Sequence, residues 1–248
     1  MIERGIMEAL HSAKPGSSQE LHGEALKAML EAAKASGFRD PVLPTIPVTS
    51  ETPHVESLSG EALQAELEAQ AKRYIEFGFA KKLGMTQYRF KDRVMGLAAP
   101  QPESYKGRFD IPVVVIGAQV PAVEQYRMIG FDYYLSDLGI QDRDVKGYQT
   151  PNVPHLVWMQ DGKVNLGKSV DKVRASFSRD ERGANLYDGV GLVVARPDIL
   201  KDHFIDLPGT QVGSGSAPFL NLWDDRPEVH CGFVDDTHSR FGSASGGR

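Results

Sequence analysis

The pattern of apolar and polar residues divides the chain into a helical first part and a second part in which short strands predominate. Apolar residues at helical spacing predict helices over residues 60–79 and 87–97, with Ser59 and Thr86 as their N-caps. Farther along, apolar runs too short for a helix predict strands. These strands cover residues 111–117, 133–135, 155–160, 191–195, 219–223 and 228–234, with short helices over 122–128 and 197–203. Helices followed by strands predict an α+β fold, in which a helical N-terminal part precedes a mixed, largely antiparallel sheet with flanking helices.

Prolines mark a boundary before the first of these helices. Residues 3–13 and 17–36 have helical character, but the next stretch carries Pro41, Pro44, Pro47 and Pro53 and fits neither helix nor strand. We therefore predict a helical arm with a proline-rich linker over residues 1–56 and an α+β domain over residues 57–248. The arm is a candidate contact for a protein partner, and the oligomeric state stays open.

The stretch from Gly162 to Ser169 matches the phosphate-binding pattern G-x-x-x-x-G-K-[ST] of many nucleotide hydrolases. In that loop, backbone N–H groups surround a phosphate, the lysine reaches the phosphates and the hydroxyl binds Mg²⁺. The nucleotide-binding residues here would be Gly162, Gly167, Lys168 and Ser169.

A β-hairpin is the competing interpretation of the same residues. Asp161-Gly162 separates the apolar run 155–160 from Lys163-Val164-Asn165-Leu166, which alternates with period two. Val164 and Leu166 would then face the core and Lys163 and Asn165 the solvent. Ser169 would cap a helix over residues 170–178, with Asp171 in its first turn. The chain after residue 170 is short for the βαβ units that a nucleotide-binding domain needs, so we favour the hairpin.

The C-terminal half also carries histidine, cysteine and aspartate residues that merit a chemical interpretation. His230 and Cys231 are adjacent in a predicted strand and would point to opposite faces, so they cannot bind one metal ion together. A buried, inert cysteine is the expected role of Cys231. Asp224-Asp225 reads as a hairpin loop. We predict no metal site and no cofactor.

Composition argues against some classes of protein but does not identify the function. The net charge of −5 and the lack of a basic run interleaved with aromatic residues argue against nucleic acid as a partner. Cys231 is the single cysteine, which fits a reducing cytoplasm. No apolar run approaches the length of a membrane span, so we expect a soluble cytoplasmic protein.

Several segments resemble an actinobacterial-type family known as domain-of-unknown-function family 5701. The resemblance is carried by the tail His238-Ser239-Arg240-Phe241-Gly242-Ser243-Ala244-Ser245-Gly246-Gly247-Arg248 and by residues 70–97, 110–117 and 154–177, and it covers about residues 60–248. The chain departs from the family at Gly167-Lys168-Ser169, at Cys231 and at Asp235-Asp236. The resemblance implies a bacterial fold unit and no particular activity. It places a shared functional site, if there is one, at His238 and the Gly-Ser-Ala-Ser run.

Three hypotheses about function follow. The leading one is a soluble binding or interaction protein without catalysis. The second is a small-molecule hydrolase or transferase that uses His238 with Ser243 or Ser245. The third is nucleotide binding through Gly162–Ser169.

Overall fold

A computed structural model describes residues 60–136, 145–147 and 149–248, and of residues 145–147 only the backbone. The chain divides after Pro53 into two units, of which the second is His54–Arg248. The predicted arm over residues 1–56 and most of the polar segment after Ser136 lie outside the described residues. The described α-helices are α1 (Gly60–Glu76), α2 (Phe79–Lys82), α3 (Gln87–Met95), α4 (Ala122–Met128), α5 (Val170–Ser176), α6 (Leu186–Ala195) and α7 (Ile199–Asp202).

The described strands form two sheets. They are β1 (Ile111–Val115), β2 (Asp132–Tyr133), β3 (Val145–Gly147), β4 (His155–Gln160), β5 (Glu181–Gly183), β6 (Phe204–Asp206), β7 (Thr210–Val212), β8 (Ser216–Trp223), β9 (Arg226–Phe233), β10 (Phe241–Ser243) and β11 (Ser245–Gly247). The first sheet has the order β1-β4-β11-β5 and is antiparallel throughout. The second has the order β10-β6-β8-β7-β3, and β9 pairs both β8 and β2. Its β10–β6 and β2–β9 pairs are parallel and the others antiparallel. The predicted α+β class is confirmed.

Helix α1 covers the edge of the first sheet. Leu63, Leu67 and Tyr74 lie on its buried face at helical spacing. Gln70 receives a 2.9 Å hydrogen bond from the Val114 amide and donates one of 2.7 Å to the Pro112 carbonyl. The Tyr74 hydroxyl donates to the carbonyl of Val114 at 2.7 Å. Side chains of α1 thus satisfy backbone groups of β1 that another strand would otherwise pair.

Residues 191–195 were expected to form a strand, and this expectation is wrong. They belong to α6, whose N-terminus is fixed by a capping box between Asn185 and Asp188. The helix is buried almost all round, so its apolar run lacks the polar face that marks a surface helix. Gly191 lets α6 approach β1 closely, because a side chain there would overlap Val113.

The C-terminal tail joins the two sheets. Its β10 runs beside β6 in the second sheet, and its β11 lies between β4 and β5 in the first. Between them, the Ala244 amide donates to the Asp206 carbonyl at 3.1 Å, and the Ala184 amide donates to the Ala244 carbonyl at 3.0 Å. Buried Ser243 and Ser245 flank this crossing. The tail is therefore a structural link as well as a candidate site.

Candidate functional site

The loop after β4 is not the hairpin that the sequence predicts. Gly162 adopts a left-handed conformation with φ of 98°, and Lys163–Asn165 form one 3₁₀ turn in place of a strand. Val164, expected in the core, is 71% exposed, whereas Asn165, expected in solvent, is buried. Ser169 does stand at the N-cap position of α5, although its side chain makes no capping hydrogen bond.

Contacts with the distant strand β10 explain this conformation. The Asn165 side-chain amide donates to the Ser243 carbonyl at 2.9 Å, and the Gly167 amide donates to the Phe241 carbonyl at 3.0 Å. The backbones of Gly162 and Gly242 pack so closely that a side chain on either glycine would overlap the other. Tertiary contacts therefore override the local Asp-Gly turn signal.

The same loop offers little for a phosphate. The amides of Gly162 and Lys163 donate to the side chains of Gln160 and Asp161, at 2.5 and 2.9 Å. The Lys168 ammonium donates to the Val164 carbonyl at 3.2 Å and to Asn165 Oδ1 at 3.1 Å. These donors, which a phosphate would need, already have acceptors within the protein.

The structure does not bring His238, Ser243 and Ser245 together. His238 is exposed, and among the described residues its ring contacts Phe241, with centroids 5.3 Å apart. Ser243 donates to Asp206 at 3.4 Å. Ser245 belongs to the other sheet, where its hydroxyl donates to Glu181 at 2.5 Å and accepts from Gln160 at 2.8 Å. A nucleophile and its base require direct hydrogen-bond reach, and among the described residues no hydrogen bond joins His238 to Ser243 or Ser245.

Cys231 and His203 are both buried in the fold. Cys231 is buried and unpaired in β9, and burial raises the pKa of its thiol to about 11, which keeps the thiol protonated at neutral pH. His203 is buried, with Nε2 at 2.9 Å from the Asp161 carbonyl, and so helps to hold the loop after β4. The expectation that Cys231 is buried in a strand is confirmed.

The outward face of the second sheet carries a feature that the sequence analysis missed. Aromatic side chains from β10, β6, β8, β9 and the residue after β2 form a continuous line, which we call the aromatic row. Neighbouring ring centroids are 4.4 to 5.9 Å apart. Every member is half-buried. In order of ring contact, the members are Tyr134, His230, Phe219, Phe241 and Phe204.

Sheet register places these rings on one face. Phe219 pairs with His230 across β8 and β9, and Phe241 pairs with Phe204 across β10 and β6. The opposite face carries fully buried Leu220, Val229 and Ile205. The sequence predicts strands over residues 219–223 and 228–234, but it does not show which strands lie side by side.

Polar and charged groups border the aromatic row at one end and along one side. Arg240 stacks over the ring of Phe204, with its guanidinium carbon 4.3 Å from the ring centroid. Along β8 and β9, the next pair on the same face after Phe219–His230 is Asn221–Glu228, and both residues are buried. Trp223, two residues after Asn221, is 48% exposed. The face therefore combines partly accessible rings with buried hydrogen-bonding groups, as binding surfaces commonly do.

Comparison with known proteins gives no further guidance. No family model matches the chain, and no curated protein or solved structure matches it. Among the described residues, no three His, Cys, Asp or Glu side chains are grouped as a metal site would require. None of the described helices combines the length and the apolar character needed to cross a bilayer.

Proposed function

We propose that this chain is a non-catalytic binding protein whose binding surface is the aromatic row on the outward face of the second sheet. The observation that carries the proposal is the row itself, with five half-buried rings in contact on one face of the sheet. Aromatic side chains that form one contiguous patch and remain partly accessible to solvent can mark an interaction surface. Aromatic residues are also enriched where proteins bind one another.

The partner in this proposal is another protein. A net charge of −5 disfavours nucleic acid, whose phosphates require a basic surface. The arm over residues 1–56 is a second candidate contact, and deletion of residues 1–53 tests it separately. We also propose a soluble, cytoplasmic location, which the unpaired Cys231 supports. The tail segments support the resemblance to family 5701.

Affinity capture with matched variants tests the proposal. Trp223→Ala removes an aromatic side chain beside the row, and Tyr88→Ala removes one from α3 that is 79% exposed. We expect a protein that co-purifies with the wild type and with Tyr88→Ala to be lost with Trp223→Ala. Equal recovery with both variants would place the contact elsewhere.

A further inference from the structure

Asn221 and Glu228 pair across β8 and β9, and we call this pair the rung. It contains a buried hydrogen-bond acceptor whose role the fold does not explain. Each of the two residues is only 9% exposed. Within the described part of the chain, Oδ1 of Asn221 has no hydrogen-bond partner. Buried polar atoms are nearly always paired, because an unpaired one loses its water without compensation. This oxygen therefore indicates that a donor from outside completes the rung.

Negative charge predominates around the rung. Asp132 pairs with Glu228 across β2 and β9, and Asp224 lies in the adjoining turn. Burial raises the pKa of Glu228, and the charges of Asp132 and Asp224 raise it further, while Asn221 and Arg226 oppose the shift. His230 Nε2 lies 3.5 Å from the Glu228 carboxyl. An additional cation would stabilise this carboxylate.

Aromatic side chains lie on both sides of the rung. Along β8 and β9, Asn221–Glu228 falls between the Phe219–His230 pair and the Trp223–Arg226 pair. Tyr134 extends the first of these sides, with its ring stacked on His230 at 4.4 Å between centroids. Two acceptors framed by flat aromatic faces suit a planar cation with several donors.

We infer that the rung of Asn221 and Glu228 binds the guanidinium group of an arginine side chain on the protein partner. The guanidinium would donate to the Glu228 carboxylate and to Asn221 Oδ1, and stack against a neighbouring aromatic ring. Because Asn221 Oδ1 is shielded from solvent, entry requires an outer side chain to turn aside, and half-exposed Trp223 is the candidate. This inference rests on the proposed function, since it names the chemistry that the partner presents to the same face.

Small matched probes test the inference without the partner. N-acetyl-arginine methylamide carries the guanidinium, and the citrulline analogue has nearly the same shape without its charge. Titrated into the full chain and followed by amide and indole NMR shifts, the arginine probe should give saturable shifts at Trp223, Asn221 and Glu228, with Kd on the order of 1 mM. The citrulline probe should give none. Equal responses, or no saturable shift at these residues up to about 50 mM, would overturn the inference.

Substitutions test whether Glu228 and Asn221 are the two side chains that accept hydrogen bonds from the guanidinium group. Glu228→Gln keeps the shape of the side chain but removes its charge, and Asn221→Leu removes the free acceptor. Each should weaken binding of the arginine probe at least about tenfold, while Asp235→Asn, at an exposed position outside the rung, should leave it unchanged. Unchanged binding in Glu228→Gln would refute the assignment. Loss of a captured partner with Trp223→Ala but not with Glu228→Gln would refute the guanidinium contact and leave the proposed function standing.

Discussion

Ser243 and Asp206 meet as two buried side chains where the C-terminal tail crosses between the sheets, with Ser243 Oγ donating to Asp206 Oδ2 at 3.4 Å. Ser243 is the one hydrogen-bond partner of this carboxyl among the described residues. Burial raises the pKa of Asp206 to about 7, and the Ser243 hydrogen bond opposes the shift. The link between the sheets therefore contains a carboxyl that stays protonated until near-neutral pH.

Asp206 should make the stability of the protein depend on pH. The folded pKa lies above the ordinary value of 3.8, so its contribution is fully present below pH 4 and is lost as pH rises through about 7. Asp206→Asn mimics the protonated acid. In urea unfolding, the free energy of unfolding should fall from pH 5 to pH 8 in both proteins. The fall should be smaller in this variant than in the wild type, by on the order of 2 kcal/mol.

Ser243→Ala tests the direction in which the pH dependence of stability moves. Removing the hydrogen bond that lowers the Asp206 pKa should move the loss of stability to higher pH. A pH profile of Asp206→Asn that superimposes on the wild type would contradict the assignment.

The turn between β8 and β9 offers a stabilising substitution. Asp224 and Asp225 both have positive φ, of 46° and 62°, in a two-residue turn that favours glycine at its second position. Asp225→Gly should raise the free energy of unfolding by about 1 kcal/mol. Asp225→Ala removes the same charge without the backbone freedom and should be less stable than Asp225→Gly. Equal stability of the two variants would show that charge, not conformation, governs the turn.

The two glycines of the phosphate-loop pattern should respond very differently to alanine. A side chain at Gly162 would overlap the backbone of Gly242, so Gly162→Ala should cost at least about 3 kcal/mol of unfolding free energy. Gly167 has open space around it and a φ of 73°, so Gly167→Ala should cost only about 1 kcal/mol. Thermal melts of both variants measure the difference. Equal losses would mean that the loop does not pack on β10 as described.

Nucleotides should not stabilise the protein. Lys168 and the amides of the loop already have internal acceptors, so ATP or GTP with Mg²⁺ should leave Tm unchanged in a thermal-shift assay. An increase in Tm that disappears in Lys168→Ala would contradict this account and restore nucleotide binding as the function.

Local patterns were sufficient for elements whose signals agree with their tertiary surroundings. The predicted bounds of α4 and β4 match the structure, and Thr86 caps α3 as expected, accepting from the Arg89 amide at 3.3 Å. Even so, the periodicity of a buried segment such as residues 191–195 does not separate helix from strand. The signal available was the Asn185–Asp188 capping box, which identifies the helix start.

Long-range contacts account for what local patterns could not predict. The loop after β4 takes its conformation from β10, about 80 residues farther along the chain. The aromatic row likewise depends on strands that are distant in sequence, such as the parallel pair of β10 and β6. The sequence predicts that Phe219 and His230 lie in strands, but only the register makes them neighbours.

Site-specific photo-crosslinking tests the central claim most directly. A photoreactive phenylalanine analogue placed at Trp223, beside the aromatic row, is compared in living cells with the same analogue at Tyr88 on α3, since both positions are exposed. The account predicts a discrete protein adduct from position 223 and none from position 88. An adduct from position 88 with none from position 223 would show that the outward face of the second sheet is not the binding surface.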